Sequence, residues 1–486
     1  MIAHLERDTA RLMRQPADFF GELKERLRAN DRVLTLYSTA ASDPGHVTLT
    51  AVTTSGVNLQ VVRTELERSW GYHSLTRKFP ALHIFEREIF ERDGVPCHDH
   101  PWLKPVRYPP GAPPMAEYPF YKMDGKELHE VGVGPVHAGV IEPGHFRFSC
   151  LGEQVHHLEI QLGYQHRGAE ALLQGKDPRR AVPLVETISG DASIAHAWAF
   201  CAALEALADV KVSPAATLSR GMALELERVA MHLAGLSGMM TDIGFLPGGT
   251  SYGRLRTTAI NTSMLLSGSR FGRGWIRPGG ARAAMSAEQA VTVKANLELL
   301  VRDLAPVNAL VQDAASVRRR LQGTGTLTTE QAQSIGLVGM AARMCNLAID
   351  WRTAPGAEPY TALPIATVTE PGGDCWARGV LRIREMDASL RWLREAVARA
   401  ETLEPKVEPL AAWAPSSLAV GICEGWRGEV VYTVETDAEG KVVHQRAQDP
   451  SLRNWLGLAL AVRENEISDF PICNKSFDLS YCGNDL

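Results

Sequence analysis

Five histidines, at positions 137, 145, 156, 157 and 166, fall within some thirty residues of a chain that holds 15 in all. Imidazole titrates near neutrality and ligates metals readily, so this density suits proton transfer or metal binding. The plainer reading is a loop-rich polar surface with each ring satisfied by backbone groups. The same stretch continues through His166-Arg167-Gly168-Ala169-Glu170 and, past a Lys-Asp-Pro break, reaches Asp191 and His196. A second cluster puts Glu86, Glu88 and Glu91 beside Arg87 and Arg92. Such carboxylates could do acid–base work, but Ile84, Phe85, Ile89 and Phe90 lie between them and favour a salt-bridged structural helix. The eight cysteines, at 97, 150, 201, 345, 375, 423, 473 and 482, form no C-x-x-C pair. A disulfide framework, a four-thiolate zinc site and an iron–sulfur site therefore lack a signature. Neither G-x-G-x-x-G nor G-x-x-x-x-G-K-[ST] occurs, which removes the common nucleotide fingerprints.

The elements that must position these groups follow from periodicity. Gly134 to Phe148 and Val155 to Tyr164 read as a strand pair around the turn Leu151-Gly152-Glu153, with Leu158, Ile160, Leu162 and Tyr164 on the apolar face. Upstream, Phe19–Arg28 reads as a charged helix, Val33–Tyr37 and His46–Val52 as strands, and Val61–Trp70 as helix. Five prolines between Tyr108 and Tyr121 mark a linker. Downstream, apolar steps of four and three at 222, 226, 229, 233, 236, 240 and 243 predict one long buried helix. A second begins at Ser286, whose pairing with Gln289 suggests a capping box, and continues to Val311 with Pro306 expected to kink it. Ile383, Met386, Leu390, Leu393 and Val397 supply a third, and the helix after Val185 is expected to complete a four-helix bundle. Gly323–Arg343 reads as loop and short helix, and Leu418–Val443 as a hairpin turning at Asp437–Gly440.

With 51 Lys and Arg against 56 Asp and Glu, the net charge of −5 gives no reason to expect nucleic acid. The apolar run Trp455–Val462 is far short of the ~20 residues of a membrane helix. The N-terminus mixes acidic and basic residues without an apolar signal core, so a cytoplasmic location is expected.

The motifs GPVHAG, EPGHFRF, GYQHRGAE, LELERVAMHL, GSRFGRGWIRPGG and EGWRGEV stand in one order along residues 130–486. In that order the chain resembles the large subunit of membrane-bound, complex I-like (group 4, formate-hydrogenlyase-type) nickel–iron hydrogenases. It is similar, more distantly, to the D subunit of NADH:quinone oxidoreductase. Glu86-Arg87-Glu88, Gly94 and His100-Pro101 resemble the signature of the complex I C subunit. The resemblance implies an α+β fold: a small C-subunit-like α/β domain over 1–108, a Pro-rich linker over 109–129, and a helical-bundle domain with β hairpins over 130–486.

In that family nickel is held by four thiolates from E-R-x-C-G-x-C-x-x-x-H and D-P-C-x-x-C-x-D-R. Ser189, Ala192, Ser480 and Gly483 stand at the four positions here, and Cys482 is one residue out of register. Soft, low-valent nickel wants sulfur, so no nickel is expected. Asp191, His196, Asp478 and Cys482 could form a mixed set for another metal, without diagnostic spacing; Asp191 and Asp478 are expected to be hydrogen-bonded instead. By resemblance, Glu170 matches a proton-relay carboxylate, with an ion pair to Arg167 or Arg427 as the alternative. Arg427 matches an arginine near the metal, and His145 falls near the loop whose histidine contacts quinone. The tyrosine that shares that role aligns with Gly190. His137, Arg167 and His196 complete the cofactor-binding candidates. The implied function is a large peripheral-arm subunit of a complex I-related oxidoreductase on the cytoplasmic face of the inner membrane, with quinone as a possible acceptor. Its implied partners are an iron–sulfur small subunit near His145, Arg167 and Glu170, and ion-translocating membrane subunits. The rival is a non-catalytic coupling subunit; an active hydrogenase would need the missing thiolates.

Overall fold

A strand near the N-terminus, β1 (Ile2–Arg7), leaves its neighbours in sequence and pairs antiparallel with a strand at residues 417–422. The computed structural model describes residues 1–125, 127–139, 141–282, 285–400 and 404–486. After β1, helix α1 (Pro16–Arg28) starts on a proline, where the missing N–H costs nothing, and buries Phe19 and Leu23. Three antiparallel strands follow, β2 (Arg32–Ala40), β3 (His46–Ser55) and β4 (Asn58–Glu67). Val61–Glu67 is thus strand, not the helix expected from sequence. The reason is a period of two: Val62 and Leu66 pack with Phe19 and Leu23, while Val61 faces Leu418, Val420 and Ile422 on the other side. A strand buried on both faces loses the alternation that would betray it.

Helix α2 (His83–Asp93) carries the Glu86–Arg92 cluster as loop clamps. Glu86 accepts from Ser74, Leu75 and Thr76, Arg87 donates to the carbonyls of Lys104 and Pro105, and Glu91 accepts from the amides of residues 106 to 108. The expected structural role holds, with loop backbone rather than helix neighbours as the main partners.

β5 (Leu128–Val133), β6 (His145–Leu151) and β7 (Gln154–Gln161) form a sheet ordered β7-β6-β5. Phe146, Phe148 and Leu158 enter the core. Glu159 and Gln161, on the face expected to be polar, are buried too, because the proline-rich segment lies across them. Lys104, Trp102, the Tyr118 hydroxyl and the Tyr121 amide all donate to Glu159. The segment expected as a linker is therefore a packed strap. Val140, within the GPVHAGV motif, and Lys126, within the linker, lie outside the described residues.

Next come α3 (Ala169–Leu173), α4 (Ser193–Leu207), α5 (Pro214–Asp242), α6 (Leu246–Ser267), α7 (Ala287–Asp313) and α8 (Cys375–Ala400). The bundle is α5, α6, α7 and α8; α4 packs on a sheet instead. Sequence reasoning missed α6 because Gly248 and Gly249 disguise it. A Cβ on Gly249 would meet Thr241 Oγ1 at 2.7 Å, so the glycines permit close approach to α5. The Ser286–Gln289 capping box is present, and Pro306 lies inside α7.

The last sheet, ordered β1-β8-β9-β10, contains β8 (Ser417–Glu424), β9 (Glu429–Thr436) and β10 (Val442–Gln448). The turn at 437–440 joins β9 to β10, so the expected hairpin is two. The β2–β4 sheet faces this one across Leu34, Val52, Val61, Val420 and Val431, and Arg63 pairs with Glu435 at 2.6 Å. The chain ends in α9 (Ser451–Ala461), α10 (Phe470–Phe477) and α11 (Tyr481–Asp485). Among the described residues no helix is long and apolar enough to cross a membrane.

Candidate functional site

The two segments that resemble the family's metal-binding motifs meet. Ser189 lies in the turn before α4 and Ser480 caps α11, and their hydroxyl oxygens are 2.9 Å apart. Ser189 also donates to Asp191 at 3.0 Å, while Ser480 accepts the Gly483 amide at 2.9 Å and contacts Cys482 Sγ at 3.3 Å. Ala192 is buried at the start of α4.

Asp191 is held by Arg427, whose two terminal nitrogens each donate at 2.7 Å. The Arg427 guanidinium lies 3.8 Å from the Trp426 ring centroid, and its Nε donates to the Asp478 carbonyl. The tight turn between β8 and β9 places Arg427: Gly428, at φ +142°, touches Gly339, itself at φ +58°, and a Cβ on Gly339 would lie 2.1 Å from Gly428 Cα. Asp478 accepts from Lys475 at 3.0 Å and lies 3.8 Å from Arg382. Burial pushes the Asp478 carboxyl up, but Lys475, Arg382 and Arg427 outweigh it and hold the group below its ordinary value.

His196 is fully buried between the Tyr432 hydroxyl and Asp449, each at 3.0 Å. Asp449 in turn crowds Gly483. A Cβ on Gly483 would sit 2.5 Å from Asp449 Cγ, closer than any real contact, so no side chain fits there without rearrangement. The donors at these four positions, two hydroxyls and two residues with none, do not suit a nickel–iron centre, and the space at Gly483 is taken. Among the described residues no three His, Cys, Asp or Glu side chains are grouped to hold a metal.

The GYQHRGAE motif acts as a harness for the C-terminal segment. The amides of Gly163 and Gln165 each donate to Asp485 at 2.8 Å, the His166 ring bonds its carbonyl at 2.7 Å, and the amides of Arg167 and Ala169 donate to the Leu486 carbonyl. The Arg167 side chain donates to the carbonyls of Thr187 and Ile188 at 2.8 and 2.9 Å and reaches that of Cys482 at 3.5 Å. One residue thus ties together both segments of the niche.

Glu170 pairs with neither arginine expected from sequence. Its Oε1 accepts the Ala447 amide at 2.9 Å and its Oε2 lies 3.6 Å from Arg92. Burial raises its pKa, but Arg446, Arg92 and Arg107 outweigh that and leave the carboxyl below its ordinary range. It lines a cavity of about 410 Å³ together with Glu88, Arg92, Arg107 and Arg446. His145 sits on β6, with Nδ1 3.1 Å from the Gly134 carbonyl and its buried Nε2 without a partner. Its loop rests on the C-terminal segment: a Cβ on Gly144 would meet the Tyr481 ring at 2.8 Å. His137 bonds the Gly144 carbonyl at 2.8 Å.

Sequence reasoning missed what lies beneath. Glu225, Arg228 and His232 of LELERVAMHL form a wholly buried network with Arg343, Arg352, Glu385 and Glu424. The helix seam gave half the signal, since it left these charges facing partners that no local spacing names. Burial pushes Glu424 up to about 7 and Glu227 up to about 8. Asp449 and Tyr432 had no signal at all, being more than two hundred positions from His196.

Residues 242–415 match the family of the respiratory-chain NADH dehydrogenase 49 Kd subunit. Over 365 residues the chain is 27% identical to formate hydrogenlyase subunit 5 of Escherichia coli K12, covering 75% of this chain and 64% of that protein. It is 27% identical to hydrogenase-4 component G of the same organism, over 76% of this chain and 63% of the relative. It is 28% identical to the D subunit of the NADH-quinone oxidoreductase of Dehalococcoides mccartyi, over 72% and 96%. The chain thus spans somewhat under two thirds of the first two relatives.

Proposed function

We propose that this chain, which belongs to the family of complex I-like hydrogenase large subunits and NADH-quinone oxidoreductase D subunits, is the large peripheral-arm subunit of a membrane-bound oxidoreductase that works without a nickel–iron centre. The observation that carries the reading is the niche itself. Ser189 and Ser480 bond each other at 2.9 Å where thiolates would be needed, and Asp449 occupies the space beside Gly483. Hydroxyls are hard and protonated near neutral pH, so they hold low-valent nickel poorly.

Electrons in this reading reach the chain from an iron–sulfur small subunit packed near His145, Arg167 and Glu170, and the assembly sits on ion-translocating membrane subunits at the cytoplasmic face. The acceptor is quinone or a compound of similar use. His145 Nε2, buried and unpartnered, is the atom that would bond a quinone carbonyl. Gly190, where the family has a tyrosine, offers no second contact. One feature favours the alternative of a non-catalytic coupling subunit. Asp191, Asp478 and Glu170 are all fixed in ion pairs, and the latter two are held ionised, which suits a rigid joint better than a proton relay.

Purification from native membranes in mild detergent tests the proposal. The expected preparation contains an iron–sulfur subunit and no stoichiometric nickel by elemental analysis. About one nickel per chain, or hydrogen-dependent reduction of a dye, would overturn the metal-free reading. Absence of any iron–sulfur partner would overturn the assembly. In a coupled, quinone-reducing preparation, His145→Ala should abolish quinone reduction; unchanged turnover would leave the coupling alternative standing.

A further inference from the structure

Cys375 is the first residue of the long bundle helix α8, and Cys473 lies on α10, which packs against it. Both are fully buried. A Cβ placed on Gly325 would lie 2.6 Å from Cys473 Sγ and 3.6 Å from Cys375 Sγ, so the two sulfurs flank one backbone point. Arg378 Nη2 donates to Cys375 Sγ at 3.2 Å, and the Ser476 hydroxyl lies 3.5 Å from the same sulfur. The Arg378 Nε donates to that hydroxyl at 2.7 Å, which fixes the arrangement.

These contacts set Cys375 apart from the other thiols. Burial pushes Cys97, Cys201, Cys345, Cys423 and Cys482 up. Burial acts on Cys375 as well, but the neighbouring Cys473 thiol, the Arg378 charge and the Ser476 hydroxyl outweigh it and bring it below its ordinary value. A thiolate stabilised by a guanidinium at a helix start, next to a second thiol, is the arrangement of a reactive pair rather than of two inert core cysteines. The loop above is thin: Gly323 and Thr326 are exposed, with Gly325 buried between them against the sulfurs.

We propose that Cys375 and Cys473 are a reversible dithiol–disulfide site, oxidised by a small peroxide, that locks the C-terminal segment to the helical bundle. The Cys375 thiolate attacks one peroxide oxygen; the S–O bond forms, the O–O bond breaks, and the released hydroxide takes up a proton to leave as water. The Cys473 sulfur then attacks Cys375 Sγ; the S–S bond forms, the S–O bond breaks, and a second water leaves with the Cys473 proton. Two electrons pass from the thiols to the peroxide, and a dithiol reductant returns them. The consequence falls on the niche, because α10 runs through Asp478 directly into Ser480, and α8 carries the Arg382 that faces Asp478.

The test is hydrogen peroxide treatment of the folded, full-length chain, followed by alkylation, digestion and mass spectrometry. The expected product is the Cys375 peptide cross-linked to the Cys473 peptide, reversed by dithiothreitol, with the remaining cysteines alkylated. Cys375→Ser should abolish the cross-link, and Cys473→Ser should leave a Cys375 sulfenic acid that dimedone traps. Recovery of both cysteines alkylated from the wild-type chain, or of Cys375 as a sulfinic acid without a cross-link, would overturn the proposal even if neither variant folds.

Discussion

Gly483→Ala adds one methyl group at a crowded point of the niche. In a helix this substitution normally stabilises by about 1 kcal/mol. Here the new carbon would lie 2.5 Å from Asp449 Cγ and 2.7 and 2.9 Å from its two oxygens. Asp449 has no room to yield. It is fully buried, with Oδ2 bonded to His196 and Oδ1 accepting the Ser451 amide at 2.7 Å. Overpacking of a filled interior costs roughly 1–3 kcal/mol, and a broken bond that strands a buried group costs about 1–3 kcal/mol more. After subtracting the helix gain, a net loss of roughly 1–5 kcal/mol is expected, large against the ~5–15 kcal/mol of a typical fold. Chemical denaturation of the two chains measures it directly. Asp449→Ala in combination should cost less than the sum of the single changes, since it removes the atoms that clash. An alanine variant as stable as wild type, or more so, would refute the claim that the fourth ligand position is sterically closed.

Glu170→Gln should destabilise the chain toward the low end of the roughly 3–5 kcal/mol for removing one partner of a buried pair, because Arg446, Arg92 and Arg107 lose a charge; wild-type thermal stability with lost turnover would instead restore the relay. Arg427→Met removes the partner of Asp191, whose side chain is 36% exposed, and should therefore destabilise by less, about 1 kcal/mol, whereas adding Asp191→Asn should recover part of it; strictly additive losses would show that the pair is not coupled. Burial raises the Glu429 carboxyl but Arg32 and Arg453 bring it down to about 2. Its contribution is therefore present above the unfolded value of about 4.3 and lost as pH falls toward 2, so Glu429→Gln should flatten the acid limb of a stability–pH curve. Glu227 works in the opposite direction: burial raises it to about 8, so its contribution is full below about pH 4.3 and lost as pH rises through 8. Glu227→Gln should therefore gain stability relative to wild type at pH 9, and an unchanged alkaline limb would contradict the shift.

Local signals read well and distant pairings did not. The Ser286–Gln289 box and the α5 seam were legible because each is a rule of three or four residues along one helix. β4 failed because Val61 and Val62 are both buried, one against the β8–β9 sheet and the other against helix α1. The strap failed because proline content reports backbone stiffness and says nothing of the Glu159 carboxylate that gathers Lys104, Tyr118 and Tyr121. In the site, the motif positions 189 and 480 could be placed in register from sequence, and they meet. What surrounds them was hidden: Asp449 belongs to no motif, and Glu170 faces arginines from residues 92, 107 and 446 that a reading within its own motif has no reason to choose.

β1 gives the chain an order in time as well as in space. Ile2–Arg7 leave the ribosome about 400 residues before Ser417, where their only strand partner among the described residues begins. At about 5–20 residues per second, the intervening ~400 residues take roughly 20–80 s to make. Throughout that interval β1 is an unpaired edge with nothing to bond, and the β2–β4 sheet lacks the surface that later covers Leu34 and Val61. Translation rate and chaperone occupancy in that window therefore bear on the yield of folded protein, although no contact in the finished molecule records them.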